Sequence, residues 1–363
     1  MRRLINIGLT ICLLLLCTVC SDKDQLAAVE EIYQDDEAQQ ADIAVKNFRK
    51  LLLDYKTDHV ARGAHAKAHA CVRAYFNVNE NVDSRFRYGV FSTPGKRYKA
   101  WIRFSNGHFD LSVSRDQKDD ARGMAIKVLA PPGTPIEIAA NQIPTQDFLM
   151  TNSTVFFIKN IEDYNALVAK PEDLLGFIFP GWNPLNWRIS ELFLAKKTLT
   201  TPPASPLSPQ YYSITAYKLG PNNIKFSARP CEGQVIEAST DVTNPDFLRE
   251  NLTNELKTGD ACFDFMIQLQ IPEKNMSIED PTIEWSEADS PFIPLARITI
   301  PSQEFDSPTQ RIFCENLSFS PWHALEAQRP IGQFNRMRRT VYRASSNFRH
   351  EQNHTVVPTD LYW

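Results

Sequence analysis

Arg338, Tyr342, Ser345 and Arg349 recur at four- and three-residue steps, so on a helix they make one row. A phenol then lies between two guanidinium groups, one or two turns away. A tyrosine ordinarily titrates near ~10, but nearby positive charge and donated hydrogen bonds lower that value, and a phenolate can ligate a ferric ion. Taken alone, the row reads more plainly as a basic helix face around a half-buried tyrosine. A second group, Arg62-Gly-Ala-His65-Ala-Lys-Ala-His69, sets two histidines four apart, a spacing that on a helix would serve a metal. The zinc-protease version needs a glutamate directly after the first histidine, and Ala66 stands there. In a third, Trp101-Ile-Arg103-Phe-Ser105, strand alternation sends Arg103 and Ser105 to one face. A serine can orient an imidazole, and an arginine can bind a carboxylate.

The elements that would position these groups follow from periodicity. Phe334, Met337, Val341, Ala344 and Phe348 repeat at helical steps beside the charged row, which predicts a packed helix. Phe263, Phe265, Ile267, Leu269 and Ile271 alternate with polar partners, the mark of a strand with one dry face. Segments 71–78, 99–105, 124–130, 211–219, 223–227 and 295–300 have similar length and flanking turns. Asp24 to about Asp58 reads as a helical arm interrupted near Asp35-Asp36-Glu37, and the Pro-rich stretch Thr200 to Pro209 reads as a loop. Seven or more strands followed by helices predict an α+β protein, a barrel or sandwich with helices gathered at one end.

Composition bounds the function. The chain of 363 residues is 43% hydrophobic and 11% aromatic, enough for a large core, and its net charge of −4 without a Lys/Arg run argues against a nucleic-acid partner. Arg2 and Arg3 followed by the apolar run Leu4 to Val19 read as an export signal over residues 1–20. Cys17-Thr-Val-Cys20 leaves two versions open: a plain cleaved signal, or a lipoprotein signal with Cys20 carrying the anchor. Either predicts an exported protein, periplasmic, membrane-anchored or secreted. Cys71, Cys231, Cys262 and Cys314 would remain, and they can pair in three ways.

The ordered set Arg62-x-x-His65-Ala-Lys, Arg103-Phe-Ser105, Arg122-Gly-Met-Ala-Ile-Lys127, Val155-Phe-Phe-Ile-Lys159 and Arg338-x-x-x-Tyr342-x6-Arg349 resembles that of haem catalases. Glu279-Asp-Pro-Thr-Ile-Glu-Trp285, Phe319-Ser-Pro-Trp-His323 and Arg329-Pro-Ile-Gly332 are similar to the shorter catalase-related haem peroxidases. The resemblance implies an antiparallel β-barrel core with surrounding helices over residues 45–357, preceded by an arm at 21–44. It also implies a haem, of b type, with Tyr342 ligating the iron and Arg338 keeping the phenolate ionised. His65 would be the acid-base group, Ser105 its orienting partner, and Arg62, Arg103 and Arg349 the holders of the two propionates. Phe156 and Tyr164 would be aromatics on the distal side.

The departures fall on that distal side. Catalases place an asparagine beside the histidine, but counting back from Phe156 puts Thr151 there and Asn152 one residue later, and on a strand one step reverses a side chain. Unless a bulge re-aims Asn152, a hydroxyl replaces an amide donor. Ser346 stands where catalases carry a histidine. The expected activity is therefore peroxidatic, on hydrogen peroxide or an organic hydroperoxide with an unidentified electron donor, and catalase activity is a minor capacity. Two alternatives are a fatty-acid hydroperoxide isomerase of the allene oxide synthase kind and a non-catalytic haem-binding protein. The sequence does not specify an oligomer.

Overall fold

The computed structural model describes residues 29–138, 142–234 and 242–363. The expected signal segment at 1–20, with Cys20, lies outside them. Among the described residues, period-two patterning yields nine strands: β1 (Ala68–Val78), β2 (Arg97–Asn106), β3 (Arg122–Leu129), β4 (Thr145–Thr151), β5 (Tyr211–Tyr212), β6 (Tyr217–Leu219), β7 (Asn222–Pro230), β8 (Ala261–Leu269) and β9 (Ile293–Ile300). They run in the order β5-β4-β3-β2-β1-β9-β8-β7-β6, and β5 also pairs with β7. That last pairing closes eight antiparallel strands into a barrel, with β6 hairpinned onto β7. A closed barrel leaves no unpaired edge within its ring.

One face of each strand fills the barrel. Ala100, Ile102 and Phe104 of β2 and Met124, Ile126 and Val128 of β3 point inward, where Phe148 packs against Phe265 and Phe226 at ring-centroid distances of 4.6 and 5.0 Å. The interior is side-chain core, so chemistry must sit on the outer wall, where alternation sends Arg103, Ser105 and Thr151.

Helices cover that wall: α1 (Glu37–Asp54), α2 (Ile161–Ala169), α3 (Leu174–Ile178), α4 (Ile189–Thr198), α5 (Phe247–Thr258), α6 (Pro308–Asn316) and α7 (Gln333–Asn353). Phe48 and Leu51 of α1, Ile161 of α2 and Phe334, Met337 and Val341 of α7 form a second apolar cluster, whereas α5 and α6 pack on β1. The helices thus do not gather as one group. Two disulfides form, Cys71 to Cys314 between β1 and α6, and Cys231 to Cys262 between the end of β7 and β8.

Three expectations need correction. The arm is irregular from residue 29 until α1 begins at Glu37, because Val29 and Ile32 donate their backbone N–H groups to the side chains of Gln270 and Glu279 instead of to a helix. The segment 211–219 is two short strands, split where Ser213 and Thr215 turn the chain. β4 was not among the patterned segments, although Thr151 at its end was read on a strand; its buried Asp147 is satisfied by Lys127 Nζ, which meets both carboxylate oxygens at 2.8 and 2.7 Å. Among the described residues no helix is long and apolar enough to cross a membrane.

Candidate active site

His65 sits in the loop before β1, in a left-handed conformation with φ 54°. That strained backbone is held from several sides: His65 N–H donates to Gly107 O at 3.0 Å, and Arg103 Nη2 donates to His65 O at 2.8 Å. The ring Nδ1 lies 3.1 Å from Ser105 Oγ. Beneath it is Gly123, where a Cβ would stand 2.5 Å from His65 Nδ1 and 2.7 Å from Ser105 Oγ. The glycine is there because the imidazole occupies the volume a side chain would need. Burial, and next the Arg103 charge, lower the His65 pKa to about 4. The imidazole is therefore neutral at physiological pH.

Cross-strand pairing lines up Ser105, Gly123 and Thr151 as direct neighbours. Directly opposed residues share a face, so Thr151 lies on the His65 side. Asn152 does not. Its Oδ1 accepts from Arg122 N–H at 2.7 Å and its Nδ2 donates to Thr200 Oγ1 at 2.7 Å, so the amide ties β3 to the stretch after α4. No bulge re-aims it within the β3–β4 register. His69 is not a metal partner of His65 either: it lies on β1, buried, with Nε2 2.9 Å from Asn106 Oδ1. Among the described residues no cluster of metal-binding side chains occurs.

On α7 the apolar stripe buries Phe334, Met337 and Val341. The neighbouring row brings Arg338 Nη2 to Tyr342 Oη at 3.0 Å. Asn335 Oδ1 accepts from Arg338 Nη1 at 3.1 Å and steadies it. Burial alone would lower the Arg338 pKa, but Tyr342 and Tyr217 beside it raise it, so the guanidinium stays charged. Its charge is one of the smaller influences that lower the His65 pKa. The expectation of two arginines on the phenol is half right, because Arg349 turns away to Glu315.

Arg62, Arg103 and Arg349 do assemble. Glu315 accepts from Arg62 Nη1 at 2.6 Å and from Arg349 Nη1 at 2.9 Å. Arg103, nearly buried, bonds through Nη2 to the carbonyls of His65 and Ala66, and its Nε has no partner. Burial works to raise the Glu315 pKa, but Arg62, Arg349 and Arg103 override it and hold the carboxylate ionised. Phe156 and Tyr164 meet Phe334 of α7 at centroid distances of 5.7 and 5.9 Å. Sequence reasoning missed Gly123 and Glu315. A glycine inside a strand was the available signal for the first, and nothing local marked the second.

These groups suit a ferric haem: a phenol oxygen supported by an arginine, an imidazole held neutral, and an arginine group whose buried Nε lacks an acceptor. The barrel and the helical layer around it have the architecture of catalases. The sequence model of the Catalase family matches residues 46–170, a span that holds His65, Ser105 and Thr151 but ends before Tyr342. A catalase-related peroxidase from Mycolicibacterium paratuberculosis is 26% identical over 232 residues, 58% of this chain and 66% of that protein. In structure the chain is similar to a fungal catalase (TM-score 0.63, 20% identity, 83% of this chain and 61% of that one). It is also similar to catalase A from Saccharomyces cerevisiae (TM-score 0.61, 21% identity, 81% and 61%). The chain thus spans just under two thirds of these relatives' length.

Proposed function

We propose that this chain is a haem-dependent peroxidase acting on hydrogen peroxide or organic hydroperoxides. The observation that carries the reading is a serine-oriented, neutral His65 held by Arg103, together with the Arg338–Tyr342 contact on the helix whose Arg349 meets Arg62 on Glu315. Tyr342 would ligate the iron, and Arg62, Arg103 and Arg349 would hold the propionates. Haem, when bound, supplies a ferric centre able to accept oxidising equivalents from the peroxide O–O bond.

The protein's own part is proton handling. With Nδ1–H directed to Ser105 Oγ, His65 Nε2 is free to take a proton from one peroxide oxygen and return it to the departing one. A pKa of about 4 keeps that nitrogen available across neutral pH. Thr151 offers a hydroxyl where an amide would hold peroxide more firmly, which favours oxidation of an added donor over peroxide dismutation. We place the protein outside the cytoplasm, periplasmic, secreted or lipid-anchored, a reading supported by residues 1–20 and by the two disulfides. The test is to load residues 21–363 with haemin and measure phenolic-donor oxidation, oxygen release from peroxide, and donor-free consumption of a lipid hydroperoxide. Donor oxidation should dominate. Haem-loaded protein inert in all three would overturn the reading.

A further inference from the structure

We propose that Glu315 and the Cys71–Cys314 disulfide form a clamp that presets Arg62, Arg103 and Arg349 as a seat for a ligand carrying two carboxylates. The identity of that ligand rests on the haem reading; the clamp itself does not.

The C-terminal end of α6 holds two guanidinium groups by side chain and backbone together. Glu315 takes one nitrogen from each arginine, at 2.6 and 2.9 Å. Arg62 Nη2 donates to the carbonyls of Cys314, Glu315 and Leu317 at 3.2, 3.1 and 2.7 Å, and Arg349 Nη2 to Glu315 O at 3.2 Å. Helix C-terminal carbonyls need donors, and a carboxylate among them is unfavourable unless cations arrive from elsewhere. Here they arrive from the loop before β1 and from α7. The end of α6 thereby sets the position of both.

Three guanidinium groups against one carboxylate leave a net +2 in a mostly covered place, with Arg103 Nε unpartnered. Unpaired buried charge is costly. Glu315 supplies one of three counter-charges, and a dicarboxylate would supply the other two.

Cys314, adjacent to Glu315, is bonded to Cys71 on β1, and Gln310 of α6 donates to Cys71 O at 2.8 Å. Because β2 pairs Arg103 directly with Cys71, the disulfide ties the strand carrying one arginine's neighbour to the turn that fixes the other two. Cys231–Cys262 touches none of this and serves as an internal control.

The test uses metal-free protoporphyrin IX, a dicarboxylate that needs no iron ligand, against its dimethyl ester, with binding read by fluorescence. Wild type should prefer the acid by at least ~10-fold, and Glu315→Gln and C71S/C314S should each lose most of that preference, as removal of an outer-shell support does elsewhere. C231S/C262S should keep it. In ligand-free protein, amide deuterium exchange over residues 308–317 and 338–353 should quicken in the two clamp variants only. If C71S/C314S does not fold, dithiothreitol treatment of C231S/C262S breaks the one remaining bridge, leaving two thiols, and should reproduce its effect. Glu315→Gln protein that binds the acid as tightly as wild type, or more tightly, would show that Glu315 competes with the ligand and would overturn the clamp. So would unchanged exchange in both variants. If haemin fails to ligate while protoporphyrin still distinguishes acid from ester, the haem reading falls and the clamp stands.

Discussion

At the scale of single residues, the chemistry depends on how His65 is held. Its left-handed backbone, its Ser105 contact and the glycine beneath it all fix one ring position. Gly123→Ala should therefore displace the imidazole and lower peroxide turnover by roughly 10-fold or more while haem still binds, since small misplacements of a catalytic group are expensive. Stopped-flow mixing of haem-loaded protein with peroxide measures it, and wild-type rates would remove the close-approach argument. His65→Ala should lower turnover by ~10²-fold or more if it handles the proton. The shared face of Arg103 and Ser105 was readable from alternation alone. Glu315 was not, because its partners Arg62 and Arg349 are 253 and 34 residues away, and no local pattern encodes such a meeting.

Among the elements, α7 was the most legible and the arm the least. The stripe Phe334, Met337 and Val341 is buried as its period predicts. The N-terminus of α7 is set by something the period does not contain. Arg336 Nη1 and Nη2 reach Glu31, Glu37 and Glu279 at 2.8, 2.6 and 3.1 Å, and Glu279 also accepts from Gln333 N–H at 2.6 Å. The charges that anchor the arm were visible only as an acidic stretch. Arg336→Ala removes the cation shared by Glu31, Glu37 and Glu279, leaving Glu31 alone with a cationic partner in Arg329 at 2.6 Å, and should cost about 3 kcal/mol, read by denaturant melting of the apoprotein. A loss under about 0.5 kcal/mol would reduce this network to surface decoration. β4 escaped notice for the same reason as the arm: Asp147 is satisfied by Lys127 from the neighbouring strand, which a linear reading cannot see.

For the molecule as a whole, the filled barrel carries stability and the outer wall carries chemistry. Phe265, fully buried among Phe76, Phe148 and Phe226, should cost about 3–5 kcal/mol when changed to alanine, without altering the site's spectrum. Acid should weaken the apoprotein earlier. His65 is lowered to about 4 from an ordinary 6.5, so between those values the unfolded chain binds a proton that the folded chain refuses. Its contribution, on the order of 3 kcal/mol, is complete above about pH 6.5 and lost as pH falls towards 4. Against His65→Gln, wild-type protein should lose the extra stability in that window, and parallel pH profiles would contradict it. The central claim, that Tyr342 is an iron ligand, is tested most directly by adding haemin to wild type and to Tyr342→Phe and recording the Soret spectra. Wild type should give a defined band that shifts or disappears in the variant; no band in wild type, or identical bands in both proteins, would contradict the account.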